Sequence, residues 1–252
     1  MNLLLQKTNR LIQDESGVWI PEGRISACSE EKDPHLIRIR NILENSKDLT
    51  SHSIELERKY ADWDFDSEFH LSPRRGNPLR GINLSGVKKA LEIGCECGSI
   101  TRYLGELNIR VDAVEPSMEK GKLARIRCRD IEGVEIICAG ITDLIFPEKR
   151  YDAVFLIGIL DQIKIHAPSV TETREAVISI LSRVSQTLKD DGVLLVAAGN
   201  RMGLKYWLGA SETQYETPYT GLYGYGKTDG PRTYDKKEWE NIFAKTNFKE
   251  YR

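Results

Sequence analysis

From Val87 onward, short apolar runs alternate with amphipathic stretches, and few folds accept that alternation: it calls for a parallel sheet whose strands are joined by crossover helices. The runs Val87 to Ile93, Arg110 to Glu115, Val134 to Ala139, Tyr151 to Leu160 and Val193 to Ala198 are rich in β-branched residues and Leu, as strands covered on both faces require. Ser99 to Leu107, Met118 to Ile131 and Thr173 to Leu188 fill the gaps as helices. In the last of these, Val177, Leu181, Val184 and Leu188 form one stripe toward the sheet, and Asp191-Gly192 turns the chain into the next strand. The pattern predicts a doubly wound α/β domain over residues 85–252, with a mostly parallel sheet.

Two regions fall outside it. Residues 1–84 read as an N-terminal helical cap, helical from Leu36 to Trp63 and broken by prolines in His70-Leu-Ser-Pro-Arg-Arg-Gly-Asn-Pro78 before the first strand. Residues 199–234 form a long Tyr/Gly-rich loop after the fifth strand, and a helix follows near Asp235 to Lys245. A connection of that length in a compact domain carries function or is disordered.

Thirty-six Lys and Arg stand against 38 Asp and Glu, a net charge of −2, so no whole-chain field gathers nucleic acid or an anionic membrane. No apolar run is long enough to span a membrane, and Met1-Asn-Leu-Leu-Leu-Gln-Lys lacks a signal peptide's basic front. These features predict a cytoplasmic protein with no nucleic-acid partner and no membrane span. The five cysteines are scattered or, for Cys95 and Cys97, too close for a usual disulfide or zinc knuckle, and read as reduced structural thiols. No cluster with metal-ligand spacing appears.

The sharpest motif is Ala90-Leu-Glu92-Ile-Gly94-Cys-Glu-Cys-Gly98-Ser-Ile: a strand ending in an acid, then a glycine turn that opens a helix. Glycines let a ligand approach the backbone, and the helix start offers unpaired N–H groups. About twenty residues on, the second strand ends in Glu115, where a carboxylate can accept both hydrogen bonds of a ribose diol. Together these point to an adenosine-type cofactor; alone, the glycines are a tight turn and Glu115 a helix cap. NAD is disfavoured, because Glu96 holds the middle position of G-x-G-x-x-G and no third glycine follows. An acid two residues before the first glycine suits a cationic methionine moiety better than a pyrophosphate. Tyr223-Gly-Tyr-Gly-Lys227 has a reductase-like Tyr-x-x-x-Lys spacing, but in a glycine-rich loop, where the two side chains do not stack as on a helix.

Leu91-Glu-Ile-Gly-Cys-Glu-Cys-Gly-Ser-Ile-Thr-Arg-Tyr-Leu-Gly-Glu106 resembles the first motif of the class I S-adenosylmethionine-dependent methyltransferases, and Val111-Asp-Ala-Val-Glu-Pro-Ser117 their second. More narrowly, His70-Leu-Ser-Pro73, Thr101-Arg-Tyr-Leu-Gly-Glu106 and Asn200-Arg-Met-Gly-Leu-Lys-Tyr-Trp-Leu-Gly-Ala-Ser-Glu212 resemble a bacterial group of methyltransferase domains fused to, or encoded beside, glycosyltransferases of surface-polysaccharide synthesis. The resemblance implies a Rossmann-like methyltransferase fold and S-adenosyl-L-methionine as cofactor. The cofactor would be held by Glu92, Gly94, Cys95, Gly98, Glu115, Pro116, Gly140, Ile141 and Gly158. Glu96 and Gly140 depart from the pattern: the first would crowd the methionine end unless its side chain turns outward, and the second replaces an acid that contacts adenine in many relatives, leaving that task to the backbone, Thr142 or Asp143. The family's sheet closes with an antiparallel pair, whereas this sequence stops at Phe248-Lys-Glu-Tyr-Arg252, which predicts C-terminal truncation and a longer polypeptide, with a glycosyltransferase domain C-terminal to this chain as partner.

The fourth strand finishes Phe155-Leu-Ile-Gly158-Ile-Leu-Asp161-Gln162, and carboxyl ends of strands are where open α/β sheets bind ligands. Asp161 is the candidate base, its alternative a cap on the following helix, and His166 is a second catalytic candidate. His70, Asn200, Lys205, Tyr206 and Trp207 are the candidates for the acceptor. Six of the ten tyrosines lie between Tyr206 and Tyr234, either to stack on sugar faces or to form a satellite core. The reading is an O-methyltransferase acting on a sugar hydroxyl of a bacterial surface polysaccharide or glycolipid precursor. The alternative is a catalytically weak cofactor-binding or docking module of a larger glycan-synthesis enzyme.

Overall fold

The computed structural model describes residues 5–6, 10–22, 33–59, 65–141, 143–163, 173–212, 214–226, 230–248 and 250. Seven strands form its main sheet: β1 (Leu11–Gln13), β2 (Trp19–Pro21), β3 (Lys89–Ile93), β4 (Arg110–Glu115), β5 (Val134–Cys138), β6 (Tyr151–Ile157) and β7 (Leu188–Ala197). Their spatial order is β1-β2-β5-β4-β3-β6-β7, parallel throughout except for the antiparallel β1–β2 pair at one edge. The predicted doubly wound, mostly parallel architecture is the one observed. A separate two-residue pairing joins Leu5–Gln6 to Leu144–Ile145.

The β1–β2 hairpin is the element that the helical reading of residues 1–84 missed. Its strands have three residues each, too short to show a period. What makes it is the turn: Asp14 Oδ1 accepts the N–H groups of Ser16 (3.0 Å) and Val18 (2.9 Å), and Gly17 takes φ +83°. Trp19 then donates from Nε1 to Glu135 at 2.7 Å, tying the hairpin to β5.

Helices α1 (Pro34–Glu44), α2 (Ile54–Lys59) and α3 (Phe65–Leu71) form the cap, followed by a helical stretch from Pro73 to Arg80. Pro34 at the helix start, with Asp33 capping the His35 N–H at 2.8 Å, explains where α1 begins. The crossover helices are α4 (Ser99–Glu106), α5 (Met118–Arg127) and α6 (Thr173–Thr187); α7 (Leu204–Trp207) and α8 (Lys236–Phe243) follow the last strand. The Val177, Leu181, Val184 stripe is buried against one face of the sheet, and a second cluster including Ile100, Leu104 and Ala124 covers the other. A third cluster joins Ile39, Leu43, Leu56 and Leu71 of the cap to Cys97 and Leu123. Cap and glycine turn therefore share a core, which fixes what the cap lays over the turn.

Two details differ from the pattern. Between Tyr151↔Leu188 and Ala153↔Val193 the register of β6 and β7 jumps, so the expected Asp191-Gly192 turn is a bulge inside a longer strand. No strand follows β7 among the described residues; Phe248 packs edge-on against Phe243, with ring centres 6.0 Å apart. Val193 on the edge strand is 48% exposed.

Candidate functional site

The carboxyl ends of β5, β4, β3 and β6 lie side by side, and the predicted cofactor residues from all four strands meet on that rim. Glu92 is buried in β3 and accepts the Thr101 hydroxyl from α4 at 2.7 Å. Burial pushes its pKa up to about 7, against the pull of the Thr101 bond and Arg75. After Ile93 the chain turns sharply, and the N–H groups of Gly94 (2.8 Å) and Cys95 (3.2 Å) both donate to Val114 O. Gly94 has φ +79°, and a Cβ there would lie 2.1 Å from Ile159 Cγ2. Gly98, φ +78°, opens α4 with a Cβ position 2.8 Å from Ala124 Cα. Both glycines are required by close approach as well as by conformation.

Glu115 is buried at the end of β4 and accepts two backbone N–H groups, Ser117 at 3.0 Å and Glu96 at 2.9 Å. Its pKa is raised by burial and then by the Glu96 charge. Each oxygen keeps a lone pair beyond these bonds, the acceptor capacity a ribose diol needs. Glu96 takes φ +50° and sends its carboxylate to Lys120 Nζ of α5 at 2.6 Å. Its side chain is thus held toward α5. Cys95 and Cys97 are buried thiols with raised pKa, packing groups in keeping with their reading as reduced.

Pro116 follows Glu115 directly. Gly140, whose carbonyl accepts the Asp143 N–H at 3.0 Å, and buried Ile141 lie just past β5; Thr142 is outside the described residues. Gly158 ends β6 with φ +78° and open space where a side chain would stand.

The acceptor candidates are less united. Asp161 accepts the Gly199 N–H at 3.1 Å, and its carbonyl accepts that of Arg232 at 3.0 Å. It ties the end of β6 to the turn after β7, an anchoring role distinct from the expected cap on its own helix. Burial raises its pKa against the Gly199 bond. His166 lies outside the described residues. His70 sits on the cofactor side: it lines a narrow cavity with Glu92, Gly94, Glu96 and Arg75, and burial lowers its pKa to about 4, which keeps the ring neutral. Its carbonyl is clamped by the Ser99 hydroxyl and by Arg127 Nη1, the latter at 2.6 Å. Asn200 caps a local turn through Met202 N–H at 2.9 Å, and the Lys205 ammonium lies 4.7 Å from the Tyr206 ring centre. Tyr206 is buried, whereas Trp207 is 57% exposed. The tyrosines divide likewise: Tyr225 and Tyr234 are core, and Tyr223 is 86% exposed.

Two residues went unread in the sequence. Glu212, buried, takes the Tyr225 hydroxyl on both oxygens at 2.7 and 2.8 Å; its pKa is raised by burial and further by Asp161. Its one signal was its place at the end of the Asn200 to Glu212 block. Arg75 reaches the cavity beside Glu92 from the cap, with no local pattern to announce it. A roomier depression, about 660 Å³, opens at the amino ends of the strands, where Lys89 pairs with Asp112 at 3.0 Å, whereas Gly94, Gly98 and Gly158 lie at the opposite end. Among the described residues no group of three His, Cys, Asp or Glu is placed to hold a metal.

Residues 91–196 match the family model described as a methyltransferase domain. No curated protein matches the sequence. Among solved structures, an S-adenosylmethionine-dependent methyltransferase from Aquifex aeolicus is similar at TM-score 0.50 and 15% identity, over 77% of this chain and 89% of that one. Another from Archaeoglobus fulgidus gives TM-score 0.50 and 15% identity over 70% and 68%. Phosphoethanolamine N-methyltransferase 2 of Haemonchus contortus gives 0.47 and 20% over 65% of this chain; the chain spans 33% of that enzyme.

Proposed function

We propose that this chain, whose residues 91–196 match a methyltransferase domain, is a class I S-adenosylmethionine-dependent methyltransferase that transfers a methyl group to a sugar hydroxyl of a bacterial surface polysaccharide or glycolipid precursor in the cytoplasm. The observation that carries the cofactor half is the pair of buried carboxylates, Glu92 and Glu115, near the ends of adjacent strands beside a turn whose Gly94 and Gly98 admit no side chain. Buried carboxylates with raised pKa are costly unless a cation or several donors complete them. The residues fit the cofactor: Glu92 suits an α-ammonium, Glu115 a ribose diol, and the Gly140 and Ile141 backbone an adenine edge. When bound, S-adenosylmethionine supplies an electrophilic methyl group. The chain's own part is to hold an acceptor oxygen in line with it at about 3 Å, which supplies most of the acceleration.

The acceptor half rests on the resemblance of the Asn200 to Glu212 block, with a glycosyltransferase as the implied partner, and on the placement of Asp161. This carboxylate follows Gly158 at the end of β6 and has a pKa raised by burial, and in this reading it receives the hydroxyl proton. A second reading, a cofactor-binding module with weak catalysis, is favoured by two contacts: Asp161 is engaged by the Gly199 N–H, and Glu96 with Lys120 bridges the glycine turn to α5. Calorimetry with S-adenosylmethionine followed by methyl transfer onto candidate glycans tests both. Binding with turnover supports the enzyme, binding without turnover the module, and no binding sinks the cofactor assignment.

A further inference from the structure

Among the described residues that line the cavity, Arg75 is the one Lys or Arg, and its guanidinium has no hydrogen-bond partner. It stands in the Pro73–Gly76 turn of the cap and lines the cavity beside Glu92, Gly94, Glu96 and Ser99. Both nearby carboxylates are engaged elsewhere, Glu92 by the Thr101 hydroxyl at 2.7 Å and Glu96 by Lys120 at 2.6 Å. The Arg75 guanidinium makes no hydrogen bond or ion pair with any described residue; its contact is the face of Phe69, with the ring centre 4.0 Å from Cζ. Burial works against its charge, while the fields of Glu96 and Glu92 sustain it. A guanidinium held over an aromatic ring, with no other partner, has N–H groups to spare, and their fork matches a carboxylate in a bidentate pair.

We propose that Arg75 binds the α-carboxylate of S-adenosylmethionine, so that Glu92 and Arg75 together read the zwitterionic amino-acid end of the cofactor. The inference rests on the cofactor reading above and deepens it. The cap then belongs to the binding site: α3 and its following turn bring the cation, and the Ser99 hydroxyl and Arg127, both donating to the His70 carbonyl, tie the end of α3 to the start of α4 and to α5.

The test is calorimetric, with three probes: S-adenosylhomocysteine, decarboxylated S-adenosylmethionine, and 5′-methylthioadenosine, which lacks the amino-acid end. Arg75→Met keeps an unbranched stem against Phe69 and should weaken S-adenosylhomocysteine ~10- to 100-fold while changing the other two probes less than about twofold. Arg75→Lys, which keeps the charge and loses the fork, should fall between, and serves alone if Arg75→Met does not fold. Equal loss for all three probes in Arg75→Lys would make Arg75 a packing residue and overturn the proposal, as would unchanged affinity for S-adenosylhomocysteine. Failure of the unaltered protein to bind any of the three overturns the cofactor reading itself.

Discussion

Replacing Glu92 by Gln tests the electrostatics of the site most directly, because the change removes a charge and little else. The amide oxygen of Gln can still accept the Thr101 hydroxyl that Glu92 accepts at 2.7 Å, so the local fold has a way to persist. Burial raises the Glu92 pKa from 4.5 to about 7, which corresponds to about 3 kcal/mol against the charged form in the folded protein. A folded-state pKa above the unfolded one means that the contribution to stability is full below pH 4.5 and is lost as pH rises through 7. An α-ammonium beside the carboxylate favours the charged form, so cofactor binding must expel the proton. From a pKa near 7, Glu92 should release about 0.9 proton at pH 6, about 0.5 at pH 7 and about 0.1 at pH 8, and affinity should fall toward tenfold per pH unit below 7. Glu115, also raised by burial, adds to the release in the same sense. The assay is calorimetry of S-adenosylhomocysteine binding in buffers of different ionisation enthalpy. Glu92→Gln should bind ~10- to 100-fold more weakly at pH 8, nearly as well as the parent at pH 5.5, and with the Glu92 share of proton release gone. Parent affinity independent of pH, or full proton release in Glu92→Gln, would refute the reasoning.

Gly94→Ala places a methyl 2.1 Å from Ile159 Cγ2 at φ +79°, and should cost about 2–5 kcal/mol in urea unfolding, part of it recovered in the double variant with Ile159→Ala. Glu115→Gln should weaken adenosine-containing ligands by about 1–3 kcal/mol and also lower the melting temperature, because one of two backbone N–H donors, Ser117 or Glu96, then faces an NH₂ group. Asp161→Asn should lower turnover about 10²- to 10⁴-fold with cofactor affinity unchanged; a fall in melting temperature without that kinetic effect would leave Asp161 only the anchor of the Gly199 turn.

What the sequence determined by itself is what repeats along it or is forced by the backbone. β4 runs from Arg110 to Glu115 as the apolar pattern predicts, and α6 follows its stripe, because period is a local property that burial then rewards. Glu92, Gly94, Gly98 and Glu115 were legible for a related reason: a strand that ends in a glycine turn must deliver those groups to one rim. Only tertiary structure decided the rest. The β1–β2 hairpin takes its place from pairing with β5, more than a hundred residues away, and three-residue strands carry no period to reveal it. His70 and Arg75 line one cavity with Glu92 and Gly94 because the cap shares a core with Cys97 and Leu123, a long-range contact that no local pattern encodes. Asp161 and Gly199 meet because β6 and β7 end side by side, so the partner of the Asp161 carboxylate is set by the sheet and not by the residues that follow it. Burial, too, is a property of the packed molecule: it separates Tyr206 from its neighbour Trp207, and it lifts the pKa of Glu92 to about 7.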